Sequence, residues 1–207
     1  MRKARVPSKS SPARRKLSRD AWLKTAQAEL IRGGIASVTI NMLAKRLKVT
    51  RESFYWHFES RASLLDELLE HWQNINNAAF ERAIDRRARG LEEFRTITQD
   101  IWVSETGYNA AYDTAVRDWG RSSRKVASAV KKVDLRRIEI LRRVFSDLGY
   151  KEPEALVRAR VAYFHQVGYY TLGLTEAQNT RLQLLPYYMS ILSGIPLKEL
   201  RTRLAQL

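Results

Sequence analysis

The chain contains no cysteine, which excludes a disulfide framework, a thiolate zinc site, an iron–sulfur cluster and a cysteine nucleophile together. Proline and glycine are scarce, five and nine in 207 residues, too few for a loop-rich or all-β fold. No apolar run approaches the roughly 18 residues of a membrane span, so no membrane partner is expected. The three histidines, His57, His71 and His165, are scattered, and there is no H-E-x-x-H, no glycine-rich phosphate loop and no G-x-S-x-G. Neither an enzyme nor a metal or other cofactor is expected. Acids are missing from the first 19 residues, which hold eight bases. That stretch lacks the apolar core of a secretory signal, and Pro7 and Pro12 break the amphipathic helix an organellar leader needs, so a cytoplasmic protein is the expectation.

What is present is a sizeable core and a large positive charge. Hydrophobic residues make up 44% of the chain, and 37 Lys and Arg against 22 Asp and Glu leave +15, which points to a polyanionic partner. The excess sits in two places: the arm, and residues 121–143 with nine bases against two acids. The second block reads most simply as a solvated helix face, with an anionic ligand or a second phosphate contact as the sharper alternative.

Helical punctuation begins at Ser18, an N-cap followed by Asp20. Trp22, Leu23, Ala26 and Leu30 recur at helical spacing until Gly33-Gly34 stops the run. Thr39 caps a short second helix whose Ile40, Leu43, Ala44 and Leu47 form one stripe, opposite Asn41, Lys45 and Arg46. Thr50 is a candidate cap for a third helix over 51–57, with Phe54 and Phe58 inward. Ser60 opens a fourth, through Leu64, Leu65, Leu68, Leu69 and Trp72 toward Arg89-Gly90. Further helices are expected over about 91–105, 108–119, 121–148, 153–174 and 179–192, with Pro186 ending or kinking the last. The fold class is all-α: a basic disordered arm (1–17), a three-helix helix-turn-helix domain (18–66) and a larger helical ligand-binding and dimerisation domain (67–207).

Two short helices joined by a tight turn, with Ala44 where they approach, meet the requirement of a helix-turn-helix. On the second of them Arg51, Glu52, Ser53, Tyr55, Trp56 and His57 point outward, a surface that is costly unless something covers it. DNA would do so: Arg51 can donate to guanine O6 and N7, Glu52 can accept from cytosine N4, and Ser53 can take either role. Packing of Tyr55 and Trp56 inside an ordinary three-helix core is the alternative.

The order and spacing of Gly34-Ile35, Thr39-Ile40, Leu43-Ala44, Val49-Thr50, residues 53–58 (Ser-Phe-Tyr-Trp-His-Phe), Arg61 and Leu64-Leu65 resemble the TetR family of bacterial transcriptional regulators. The resemblance covers about residues 18–72. It implies that Thr50, Arg51, Glu52 and Ser53 belong to a DNA-binding surface with the latter three facing bases. It further implies that Tyr55, Trp56 and His57 meet the backbone or neighbouring bases, that Asn41 reaches DNA, and that Thr39 and Arg61 contact phosphates. Lys48 stands where the family's turn usually has glycine, so a non-glycine residue must tolerate an unusual backbone there. The resemblance also implies that helices 153–174 and 179–192 pair with their copies in a homodimer, where Gly168, Gly173, Val161, Ala162, Val167, Leu172 and Leu174 allow close approach. Two-fold symmetry then predicts a palindromic operator on double-stranded DNA.

Between reader and dimer face, Trp102, Tyr112, Trp119, Phe164 and His165 are the candidates to line a pocket for an unidentified small-molecule effector, with core packing as the competing role for each. The expected function is a sequence-specific repressor released by that effector. The alternative is a nucleoid-type DNA-binding protein without a ligand.

Overall fold

The computed structural model describes residues 18–84, 89–106, 108–173 and 176–207. The arm 1–17, residues 85–88 of the expected fourth helix, Gly107 and Leu174 lie outside the described residues. Among the described residues every regular element is helical.

Helix α1 (Arg19–Ser37) opens where Ser18 Oγ accepts from the Ala21 N–H at 3.2 Å. Its helical path breaks at the expected glycine pair, and a last turn follows to Ser37. Gly34, at φ 68 and ψ −175, occupies a region that only glycine visits cheaply. Thr39 caps α2 (Ile40–Leu47), its Oγ1 accepting from the Met42 N–H at 3.2 Å, and Leu43 and Ala44 are buried beneath. Lys48 then takes the left-handed conformation, φ 55 and ψ 42, and its N–H returns to the carbonyls of Ala44 and Lys45. The tight turn is therefore built without glycine.

Helix α3 (Glu52–Tyr55) is shorter than the expected 51–57. Thr50 does not cap it through its side chain; the Thr50 hydroxyl instead meets the Glu52 carboxylate. At the far end the N–H groups of His57 and Phe58 converge on the Phe54 carbonyl at 2.9 and 3.0 Å, tightening the last turn so that Phe54 and Phe58 both reach the core. In the reciprocal cap of α4 (Arg61–Ile84), the Ser63 N–H donates to Ser60 Oγ and the Ser60 N–H to Ser63 Oγ, each at 3.2 Å.

Beyond residue 90, α5 (Leu91–Arg95) runs into a π-helix (Thr96–Val103) where one regular helix was expected. Then come α6 (Ala110–Gly120), α7 (Arg124–Asp147), α8 (Glu154–Thr171), α9 (Gln178–Ser193) and a short α10 (Leu197–Leu204) that the sequence reading did not separate. Pro186 does not end α9: the helix continues through it. The carbonyl four residues earlier belongs to Leu182, an exposed residue, so the hydrogen bond proline cannot make is left to solvent.

Two apolar clusters hold the molecule. One gathers Trp22, Leu30, Leu43, Phe54, Phe58, Leu64 and Leu68 from the first four helices and adds Trp72, Tyr112, Val116, Trp119 and Val126. The other packs Phe80, Phe94, Ile97, Trp102, Leu141 and Phe145 against α8, α9 and α10. The first cluster thus crosses residue 66 and draws α6 and α7 onto the helix-turn-helix. No helix among the described residues is long and apolar enough to cross a membrane.

Candidate nucleic-acid interface and effector cavity

Phe54 fixes α3 from below, meeting Trp22 edge to face at 5.3 Å and stacking on Phe58 at 5.3 Å. With that ring sealed in, the neighbouring residues must turn outward. Tyr55 is 53% exposed and Trp56 75%, so these two aromatics are surface and not core. Arg51 and Glu52 are exposed, Ser53 and His57 half-buried, and Thr39, Asn41, Lys45, Lys48 and Thr50 are exposed with them. Lys45, Lys48 and Arg51 form no salt bridge among the described residues. The Glu52 carboxyl is held below its usual range by its own N–H and by the Thr50 hydroxyl, which keeps it an acceptor. The Thr39 hydroxyl accepts within its cap and retains its proton to donate outward.

Arg61, expected on phosphate, is half-buried and spends two of its three guanidinium nitrogens inside the protein. Its Nε donates to the Val38 carbonyl at 2.5 Å and one terminal nitrogen to the Ile35 carbonyl at 2.9 Å, so the guanidinium fastens the connection between α1 and α2 to the start of α4. Arg19, counted by sequence with the cationic arm, is a second such fastener. It donates to the Glu67 carboxylate and, at 2.8 Å, to the His57 carbonyl, and lies 4.5 Å over the Phe58 ring. Arg46 likewise reaches Glu29, buried at 3% exposure, at 2.7 Å. Beside Arg51, Lys45 and Lys48 also face outward, and the site candidates omitted them. Their signal was position: both lie on the solvent side of the turn.

The effector candidates divide. Trp102 and His165 border a hollow of about 40 Å³ between the π-helix, α8 and α9. The His165 ring lies 4.8 Å from Tyr188, and burial holds its imidazolium below the usual range. Tyr112 does not line it: the ring is fully buried in the first cluster and its hydroxyl donates to the Leu68 carbonyl at 2.7 Å. Trp119 is buried in the same cluster. Phe164 points away from the interior at 59% exposure. Helical spacing shows which residues share a stripe but not which neighbour covers it, and α6 turned its stripe toward the reader.

Beside that hollow lies a buried polar knot, which the sequence reading of a solvated basic block did not single out. Arg137 sits in the apolar row of α7 between Val133 and Leu141, four residues from each, and is only 2% exposed. Its Nη1 approaches Asp113 Oδ1 at 3.3 Å and the Tyr163 hydroxyl at 3.4 Å. Arg117 donates to Asp113 at 2.8 Å and to Asp134 at 2.6 and 3.0 Å, and Trp72 and Asn76 of α4 reach Asp113 Oδ1 at 3.3 Å each. Burial alone would push the Asp113 carboxyl up; the Arg137 and Arg117 guanidiniums outweigh it and hold it below the usual range. Burial pushes Tyr163 up to about 12. Much of the basic block is likewise spent on partners, with Arg136 on Glu81, Arg142 on Glu139 and Glu152, and Arg143 on Glu93. Among the described residues no three His, Asp or Glu side chains gather as a metal site.

On the outer face of α8 and α9, Val157, Val161, Phe164 and Leu172 are exposed with Leu182, Leu184, Tyr187 and Ile191, the last at 77%. Ala162 departs from the expected face, being fully buried in its own subunit's core, and Val167 packs partly against that core.

The profile of "Bacterial regulatory proteins, tetR family" matches residues 23–68. The Escherichia coli "Tetracycline repressor protein class C" is 40% identical over 62 residues, 30% of this chain and 28% of that protein. The chain thus spans about a quarter of the length of the curated relatives it matches. Over nearly the whole length, the fold is similar to that of a TetR-family transcriptional regulator from Marinobacter aquaeolei VT8, with TM-score 0.65, 16% identity and coverage of 86% of this chain and 89% of that one. It is similar too to the ketosteroid transcriptional regulator KstR2 of Mycobacterium tuberculosis, with TM-score 0.62, 20% identity and coverage of 85% and 93%.

Proposed function

We propose that the chain is a member of the tetR family of bacterial regulatory proteins, a cytoplasmic, homodimeric repressor that binds a palindromic operator and leaves it on binding a small molecule; the family match over residues 23–68 supports this reading. The observation that carries the DNA reading is α3. The exposed Tyr55 and Trp56 and the exposed Arg51-Glu52 pair stand on α3 and at its two ends, with the other face locked by Phe54 and Phe58, near Lys45 and Lys48, which form no salt bridge among the described residues. Arg51, Glu52 and Ser53 enter the major groove, while Tyr55, Trp56, His57, Thr39 and Asn41 meet sugar, phosphate or neighbouring bases.

The exposed stripe Val157, Val161, Phe164 on α8, continued by Ile191 on α9, supports a second copy of the chain at that face. A two-fold pair sets the reading heads about one DNA turn apart, roughly 34–36 Å. Release requires that the effector favour a spacing of the heads that does not fit the operator, since a ligand with equal affinity for both states shifts nothing. The nucleoid-type alternative finds no support among the relatives.

Selection of duplexes from a random pool, followed by competition against bulk DNA at fixed salt, tests the reading. A palindromic consensus preferred at least about 10³-fold over bulk DNA is expected. Equal competition by bulk DNA refutes it.

A further inference from the structure

Arg137 is the most deeply buried cation among the described residues, and most of its guanidinium is without a partner. At 2% exposure it makes only the two long contacts of Nη1, while its Nε and Nη2 have no partner among the described residues. Those two nitrogens form one edge of the planar guanidinium, the edge with which Arg136 grips the Glu81 carboxylate. Arg137 lies 5.0 Å from the Phe80 ring and 5.4 Å from that of Tyr108, and faces a hollow of about 10 Å³. Gln166, also buried, lines that hollow and presents a second unpartnered donor, its Nε2. Among the described residues, the fully buried partnerless side-chain atoms that line it are all donors. Trp102 and Gln166 line this hollow and the 40 Å³ one alike, standing as a partition between them.

Resting on the effector-responsive reading above, we infer that the effector is a small aromatic carboxylate, its carboxylate taken bidentate by Nε and Nη2 of Arg137 and by Nε2 of Gln166. Its ring occupies the space opened when Trp102 moves aside. Only donors are unmatched, they include a guanidinium fork, and a fork selects a planar two-oxygen anion over a lone carbonyl. The surrounding Phe80, Trp102, Tyr108 and Tyr170 offer ring faces and edges. The two hollows are smaller than any drug-sized ligand, so occupancy requires Trp102 on the π-helix and Gln166 on α8 to part. The carboxylate shares the guanidinium with Asp113, which holds Nη1 and is where Trp72 and Asn76 anchor α4, the helix that rises from the reading head. Binding and the posture of α4 are thereby coupled.

The test uses the full chain without DNA, which separates it from the operator experiment. Benzoate and 2-naphthoate, with benzamide and 2-naphthamide as neutral counterparts, are titrated by calorimetry and tryptophan fluorescence. Each carboxylate is expected to bind at least tenfold more tightly than its amide. Gln166→Leu, which leaves the Arg137–Asp113 pair intact, should weaken the carboxylates three- to tenfold and the amides hardly at all. Arg137→Met combined with Asp113→Asn, which removes both charges together so that neither is buried alone, should abolish the preference. Amides binding as well as carboxylates, no binding of either carboxylate at 10-fold the concentrations that saturate comparable sites (about 10 mM), or a preference surviving in the double variant overturns the inference.

Discussion

Replacing Lys48 separates the backbone of the turn from its charge. Lys48 holds φ 55 and ψ 42, a conformation that costs a residue with a Cβ roughly 1–2 kcal/mol and glycine almost nothing. Glycine also loses more freedom on folding, roughly 0.5–1 kcal/mol relative to alanine, which offsets part of the gain. Lys48→Gly should therefore stabilise the fold by about 0.5–1 kcal/mol, and Lys48→Ala should not. For a chain of this size that is roughly 1–4 °C in Tm. Both variants lose the same exposed ammonium beside α3, so both should weaken DNA binding and flatten the slope of log K against log salt by about one for each reading head. Thermal unfolding paired with salt titrations of operator affinity reads both effects. If Lys48→Gly is no more stable than Lys48→Ala, the left-handed strain is not there; if neither variant changes the salt slope, the turn does not face phosphate.

Arg51→Ala should cost about 1–3 kcal/mol in operator affinity and relax preference at one position of each half-site, measured by repeating the selection; uniform weakening across all sequences would mean a phosphate contact only. Phe164→Glu with Ile191→Glu should leave a folded monomer by ultracentrifugation with operator affinity reduced at least tenfold, and an unchanged sedimentation coefficient would remove the proposed dimer face. His165 is held neutral by burial, so below about pH 6.5 the unfolded chain takes its proton first and stability falls as pH drops toward the lowered folded value. His165→Phe should flatten urea-measured stability across that window, and an unaltered slope would show that His165 is not its source.

The reading head was legible because its signals are local. The Thr39 cap, the stripe of α2 and the inward Phe54–Phe58 pair are fixed by neighbours within a few residues, and the structure places each as its spacing indicates. What escaped depends on distant partners. Arg61 was expected on phosphate and Arg19 was counted with the basic arm, yet carbonyls and a carboxylate more than twenty residues away in sequence hold them. Tyr112 and Trp119 read as pocket walls because their stripe says they are buried but not by whom. The π-helix leaves no mark in composition: residues 96–103 satisfy helical periodicity, and the extra residue in the turn shows in the backbone, where the Ser104 N–H donates to the Gln99 carbonyl five residues back at 2.9 Å. Arg137 escaped too, a charge in the apolar row of α7 while the block around it suggested a solvated face.

The tryptophan at position 72, with Val116, Trp119 and Val126, completes the apolar cluster begun by Trp22 and Phe54. Anyone grafting this specificity onto another regulator would therefore be ill served by a splice after residue 66. A fragment cut there would bare the underside of α1 and α4 to water, and a chimera would inherit the side chains proposed to read bases on a support missing its floor. Engineering new operators into this scaffold is better done by exchanging the few outward residues of α3 than by transplanting the head.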